Sequence, residues 1–238
     1  MPDAPAGPEG LRPIRVHRNF TQAPAGSVLW EQGRTMVLCT ASILRETPPW
    51  FGPERVGGWV TAEYVMLPAA TSQRKGWPKI GHTDSRGTEI QRLIGRALRA
   101  AVDLSRIGPH TIALDCQVLQ ADGGTRTACI CAAWVALADA VSRLPADPGA
   151  VQRRPWSFPG EAPPAADASY DPAKAIVNQV AAVSVGIVEG QVRLDLDYAA
   201  DAAAEVDMNV VMTSAGRLVE VQGCAERGDG FERSRMLA

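Results

Sequence analysis

Two stretches of this chain combine residue types that could do chemistry. The first is Asp122-Gly123-Gly124-Thr125-Arg126-Thr127-Ala128, between a β-prone run and an apolar helical pattern. Adjacent glycines let a backbone take positive φ and approach a ligand closely. A helix that starts after them offers unpaired N–H groups at the end where an anion is favoured. The Thr125 hydroxyl and the forked Arg126 guanidinium suit phosphate oxygens. A tight turn with a threonine cap and a surface arginine would give the same string. The second stretch holds Asp195, Asp197, Asp201, Glu205 and Asp207 among Leu, Val and Met residues. On an extended chain Asp195 and Asp197 share a strand face. Carboxylates crowded against an apolar sheet repel one another and are poorly solvated, and a hard cation such as Mg²⁺ relieves both problems. An acidic sheet edge that discourages strand pairing is the alternative.

A phosphate cradle beside an acidic metal site suggests phosphoryl or nucleotidyl transfer. No Ser, Cys or His is placed for a covalent step, which favours direct displacement. The GxSxG, P-loop and dinucleotide patterns are absent. The five cysteines, Cys39, Cys116, Cys129, Cys131 and Cys224, are scattered and mostly flanked by apolar residues. No CxxC pair or nearby His completes a zinc site, so reduced thiols in a cytoplasmic protein are expected. His17, His82 and His110 form no pair at ligand spacing. With Lys+Arg 24 and Asp+Glu 26 the net charge is -2, which excludes a globally basic nucleic-acid binder but leaves room for a local basic face. No apolar run reaches the roughly 20 residues of a membrane span, and residues 1–10 lack the features of a signal peptide. They read as a disordered tail.

These residues need a frame. Residues 27–30 and 35–42 read as a hairpin and Trp59–Met66 as a third strand. Residues 69–85 form a long polar loop carrying Arg74, Lys75 and Lys79. Thr88 and Gln91 match a capping box that opens a helix with Ile90, Leu93, Ile94, Ala97, Leu98, Ala101 and Val102 along one stripe. Arg92, Arg96 and Arg99 fall off that stripe, as a solvated or a binding face. Thr111–Gln120 is a strand, and residues 127–144 a helix burying Ile130, Trp134, Leu137 and Val141. Residues 145–172 carry seven prolines and read as an inserted surface loop. Strands resume at 180–188, 191–198, 206–213 and 217–222 as two hairpins, and residues 225–238 begin another helix. Strand-rich ends around two central helices predict one mixed α+β domain over residues 11–238, not a parallel doubly wound sheet.

Longer strings carry a resemblance. Gly57-Gly58-Trp59-Val60-Thr61-Ala62-Glu63-Tyr64, then Met66-Leu67-Pro68, is one. Thr88-Glu89-Ile90-Gln91-Arg92-Leu93-Ile94-Gly95-Arg96 and the segment Gln120 to Ala128 follow. Ala204-Glu205-Val206-Asp207-Met208-Asn209-Val210-Val211-Met212-Thr213 and Glu220-Val221-Gln222-Gly223 complete the set. In this order they cover most of residues 11–226 and resemble the ribonuclease PH family, phosphate-dependent 3′-to-5′ exoribonucleases that trim transfer RNA. The resemblance implies an α+β sandwich that assembles as a ring, a hexamer built as a trimer of dimers. It implies attack of inorganic phosphate on the last phosphodiester of an RNA 3′ end, releasing a nucleoside diphosphate. It puts the phosphate on Arg86, Gly124, Thr125 and Arg126. It moves the acid pair from Asp195 and Asp197 to Asp201 and Asp207, which would hold Mg²⁺ and one of which would help protonate the leaving oxygen. Arg74, Lys75, Lys79, Arg92, Arg96 and Arg99 are then the candidate RNA contacts.

The chain departs from the family pattern in four places. Ser85-Arg86-Gly87-Thr88 stands where the family has Gly-Arg-Thr or Gly-Arg-Ser. Residues 145–172 make a longer loop than usual. Cys129, Cys131 and Trp134 replace smaller or polar residues, and the chain ends at Ala238 within an expected C-terminal helix. Two rival readings are a noncatalytic RNA-binding ring subunit, which would usually have lost a phosphate arginine or an acid, and a hydrolytic metal nuclease, which needs no phosphate cradle.

Overall fold

The computed structural model describes residues 10–52, 55–77, 84–144, 170–226 and 230–232. Most of the proline-rich loop, Lys79, the N-terminal tail and most of the expected C-terminal helix lie outside the described residues. Strands β1 (Ile14–Arg18), β2 (Gly26–Gln32), β3 (Thr35–Leu44), β4 (Trp59–Met66) and β5 (Thr111–Gln120) form one sheet in the order β1-β2-β3-β5-β4. All its pairs are antiparallel except β4 and β5, which run parallel because helix α1 (Ser85–Arg99) crosses between them. Strands β6 (Val180–Val188), β7 (Gln191–Leu194), β8 (Val206–Thr213) and β9 (Leu218–Ala225) form the second sheet, in the order β7-β6-β8-β9. The α+β expectation holds.

Helix α2 (Thr125–Ser142) joins the two sheets. It is apolar on nearly every side: Ala128, Cys129, Ile130, Ala132, Ala133, Ala136, Leu137, Ala140 and Val141 are all buried. Such a helix belongs in an interior. One core runs from Val28 and Val37 in the first sheet through α2 to Val180 and Val211 in the second. Cys39 and Cys116 face each other across β3 and β5, and Cys129 of α2 meets them in that core. Their Sγ atoms lie within 4.8 Å of one another. Among the described residues no helix is long and apolar enough to cross a membrane.

Three local readings change. Helix α1 starts at Ser85 with Asp84 as its cap, so Thr88 lies in the first turn and donates its N–H to the Asp84 carbonyl at 2.8 Å. The earlier start brings Arg86 into the helix. Strand β7 stops at Leu194 because Asp195 takes a left-handed φ of 54°, and a short helix α3 (Tyr198–Ala203) follows. Strand β1, absent from the sequence reading, lies at a sheet edge with every residue exposed, its Ile14 and Val16 alternating with Arg15 and His17 over only five residues.

The turn at Asp195 is locked by charge. The Asp195 carboxylate accepts from the Arg12 backbone N–H at 2.8 Å, from Arg12 Nη2 at 2.6 Å and from Gln32 Nε2 at 2.7 Å. Arg12 Nη1 donates to the Asp122 carbonyl at 2.6 Å. One buried ion pair thus ties the second sheet to the first and to the glycine turn. Burial alone would raise the Asp195 carboxyl, but the hydrogen bonds from Arg12 and Gln32 and the Arg12 charge hold it below the ordinary carboxylate value. Arg12→Ala leaves that carboxylate buried and unpaired and should cost about 3–5 kcal/mol in urea unfolding at neutral pH. A depressed folded pKa gives stability that is present above the unfolded value near 4 and lost as pH falls through the folded one. The gap between wild type and variant should therefore close below about pH 4. A gap that persists at lower pH would contradict this.

Candidate active site

The glycine turn is built from its neighbours. Thr35 Oγ1 accepts from the Asp122 N–H at 3.0 Å and donates to the Gly123 carbonyl at 2.7 Å. Gly123 and Gly124 take φ of 76° and 63°, a run that side chains with Cβ resist. A Cβ on Gly123 would stand 2.3 Å from the Leu196 carbonyl oxygen. The turn therefore lies flat on the segment that leads into α3. Gly124 caps α2, and Thr125 and Arg126 are the first residues of that helix. The Thr125 hydroxyl is 3.2 Å from the Tyr64 hydroxyl on β4. Burial pushes the Tyr64 phenol up, against the charges of Arg86 and Arg126, so it stays protonated and able to donate. Both arginines thus act on one point from the first turns of α1 and α2, where an anion is favoured. Arg126 Nη2 donates to Glu89 at 3.1 Å and Nη1 to Gln222 at 3.3 Å, while its Nε is buried with no hydrogen-bond partner among the described residues. That orphaned donor fits an oxyanion.

The acids sort themselves by their bonds. Asp195 holds Arg12, Asp197 caps α3 by accepting from the Ala200 N–H at 2.8 Å, and Glu205 accepts from the Gly190 N–H at 3.1 Å. Asp201 on α3 and Asp207 at the start of β8 receive no side-chain hydrogen bond among the described residues. The strand face first read for Asp195 and Asp197 does not exist, because β7 ends before them. Asp201 has exposed surface, yet the protein atoms crowding its carboxyl raise its pKa, and Glu226 adds to the effect while Arg86 and Arg126 oppose it. Asp207 is raised by burial, then by Asp201 and Glu226, again against the two arginines. Asp201, Asp207, Glu226, Arg86 and Arg126 are therefore one electrostatic unit. Hard oxygen donors that repel each other and have no cation of their own are a donor set that fits Mg²⁺.

The 3' exoribonuclease family matches here in both of its parts, domain 1 over residues 10–142 and domain 2 over residues 178–238. The chain belongs to the ribonuclease PH family. Ribonuclease PH of Nocardia farcinica is 52% identical over 227 residues, covering 95% of this chain and 80% of the relative. Ribonuclease PH of Rhodopirellula baltica is 48% identical over 216 residues, covering 91% and 81%. The fold resembles rice (Oryza sativa) Rrp46 at a TM-score of 0.68, with 19% identity over 93% of this chain and 84% of that one. It also resembles a chain of the Archaeoglobus fulgidus exosome with RNA bound to the active site, at a TM-score of 0.69 and 19% identity over 95% and 82%.

In this ribonuclease PH chain the structure gathers Arg86, Gly124, Thr125, Arg126, Asp201 and Asp207 at one end of α2. The basic candidates divide. Arg74, Lys75 and Arg92 are exposed. Arg96 instead makes a two-bond pair with Glu220 at 2.5 and 2.6 Å. Arg99 donates to the Val60 carbonyl at 3.0 Å and lies over the Trp59 ring at 4.5 Å. Tyr64, Glu89, Gln222 and Glu226 were not singled out beforehand. Tyr64, Glu89 and Gln222 lay inside the matching strings, which was their only signal. The close seating of the turn is testable against Gly190, whose φ is 73° with nothing within 4 Å of an added Cβ. Gly190→Ala should lose about 1–2 kcal/mol for the backbone alone. Gly123→Ala should lose clearly more in thermal unfolding, and equal losses would contradict the seating.

Proposed function

We propose that this chain is a phosphate-dependent 3′-to-5′ exoribonuclease that trims transfer-RNA 3′ ends. The observation that carries the reading is the pairing of two helix-borne arginines, one with an orphaned buried N–H, with two acids that no other side chain claims. Inorganic phosphate lies against Arg86, Gly124, Thr125 and Arg126, held by the helix starts and the guanidinium forks. It attacks the terminal phosphodiester in line, a nucleoside diphosphate leaves, and the RNA is one residue shorter. Asp201 and Asp207 hold Mg²⁺, which when bound neutralises charge on the transferring phosphoryl group and the leaving oxygen. One of the pair would help protonate the leaving 3′-oxygen. Arg74, Lys75 and Arg92, together with Lys79, supply the RNA face that a net charge of -2 cannot supply globally.

We read residues 11–238 as one domain, since the core is continuous through α2. A cytoplasmic homohexamer, a trimer of dimers, is the proposed assembly. Exposed Ile14, Val16 and Phe20 along and beside the β1 edge offer apolar surface for such contacts.

Two variants test the assignment. Arg126→Ala removes a charge-assisted contact worth roughly 1.5–3 kcal/mol, so the phosphate requirement should rise about 10–150-fold. RNA binding without phosphate should change little, and full activity at low phosphate would sink the cradle. Asp207→Asn should leave fold and RNA binding nearly intact and lower turnover by several orders of magnitude. Asp201→Asn should match it, with the double variant little worse than either, because the pair acts as one unit. Turnover at saturating phosphate and Mg²⁺ decides, and a larger loss from Asp197→Asn would mean that the wrong acids were chosen.

A further inference from the structure

We infer that Glu89 and Gln222 are positioning residues that turn one edge of the Arg126 guanidinium toward the attacking phosphate; this rests on the phosphate reading of Arg126 given above. Three side chains from three elements close a ring. Arg126 Nη2 of α2 donates to Glu89 Oε2 of α1 at 3.1 Å, Arg126 Nη1 donates to Gln222 Oε1 of β9 at 3.3 Å, and Gln222 Nε2 donates to Glu89 Oε1 at 2.9 Å. The ring uses both carboxylate oxygens of Glu89 and both ends of the Gln222 amide. It also occupies the end edge of the guanidinium, the one formed by Nη1 and Nη2. The side edge is left with Nε, which is buried and has no hydrogen-bond partner among the described residues. A guanidinium is a rigid planar fork, so holding its end edge fixes the direction of its remaining donors. An oxyanion placed at that side edge completes the bonding of Arg126.

The ring rests on rigid elements. Strand β9 is pinned to α1 a second time by the Arg96–Glu220 pair, two residues before Gln222. β9 also pairs with β8, where Asp207 faces Cys224. The residues that aim Arg126 therefore also tie it to the strand of the acid pair. A shift of β9 would move the arginine and Asp207 together.

The ring has a chemical signature that a merely packed cluster lacks. It needs two acceptors at position 89 and one donor plus one acceptor at position 222. Glu89→Gln supplies too few acceptors, and Gln222→Glu sets two carboxylates against each other with no donor between them. The swapped double variant E89Q/Q222E restores all three bonds, with Arg126 still donating twice and only the bond between positions 89 and 222 reversed, and keeps the total charge. Each single variant should raise the KM for inorganic phosphate about tenfold, the loss of one charge-assisted bond. RNA affinity without phosphate should stay unchanged. The swap should return the phosphate KM to near the wild-type value, with kcat following it. Unchanged phosphate KM in the singles, a swap no better than the worse single, or a parallel fall in RNA affinity would each overturn the inference. Arg126→Ala in the same series separates the two levels. If it leaves the phosphate KM unchanged, the phosphate reading itself fails. If it raises the KM while the singles do not, only the positioning role fails.

Discussion

The site depends on the buried pair between Arg12 and Asp195. Arg12 belongs to the strip before β1, and Asp195 to the bend after β7. Their bond, with the reach of Arg12 to the Asp122 carbonyl, fixes the second sheet against the glycine turn. The seating of Gly123 on the Leu196 carbonyl then allows no room for slack. Everything placed by the turn and everything placed by the bend is therefore in fixed relation. The turn places Thr125 and Arg126 at the start of α2. The bend places α3 and Asp201, and the chain returns into β8 with Asp207. Buried ion pairs often contribute little net stability, and their best-attested use is to specify geometry. Here the pair sets the glycine turn and Arg126 in fixed relation to Asp201 and Asp207.

Charge explains why the arrangement needs ligands. Asp201, Asp207 and Glu226 crowd one another, and among the described residues Arg86 and Arg126 oppose them. Of the two, Arg126 is already shared with Glu89. The acids thus favour a cation, while the helix starts and the orphaned Nε of Arg126 favour an anion. A divalent ion and a phosphate bound side by side satisfy both. A hydrolytic metal nuclease, whose nucleophile is water, needs no site for a second phosphate beside the scissile one.

The fold was largely legible in the sequence, for physical reasons. Strands β4, β5 and β8 announce themselves by β-branched and apolar runs with turn residues at each end, and α1 by its apolar stripe. Strand β1 does so only weakly: Ile14 and Val16 alternate with Arg15 and His17, but the run is five residues long and no residue in it is buried. The start of α1 was misplaced because Thr88 and Gln91 imitate a capping box, while the actual cap, Asp84, makes no side-chain bond to the helix. Residue type and glycine spacing are what single out Gly124, Thr125 and Arg126, whose phosphate role is a proposal. The acids are different. Asp195 and Asp197 look like the better pair by spacing, and only their bonds to Arg12 and to Ala200 reveal structural duties. Partners distant in sequence cannot be read from a local pattern, and for the same reason Arg96 looked free for RNA until Glu220 was placed beside it. The match to family strings points to Asp201 and Asp207, which spacing did not single out.

The account turns on the identity of the nucleophile, and one product analysis addresses it. A transfer-RNA precursor with a short 3′ extension is incubated with the protein and Mg²⁺, with and without inorganic phosphate, and the released nucleotide is identified. Nucleoside 5′-diphosphates should appear only when phosphate is present, if phosphate is the attacking group proposed to lie against Arg86 and Arg126. Nucleoside monophosphates released at the same rate without phosphate would identify water as the nucleophile and contradict the account.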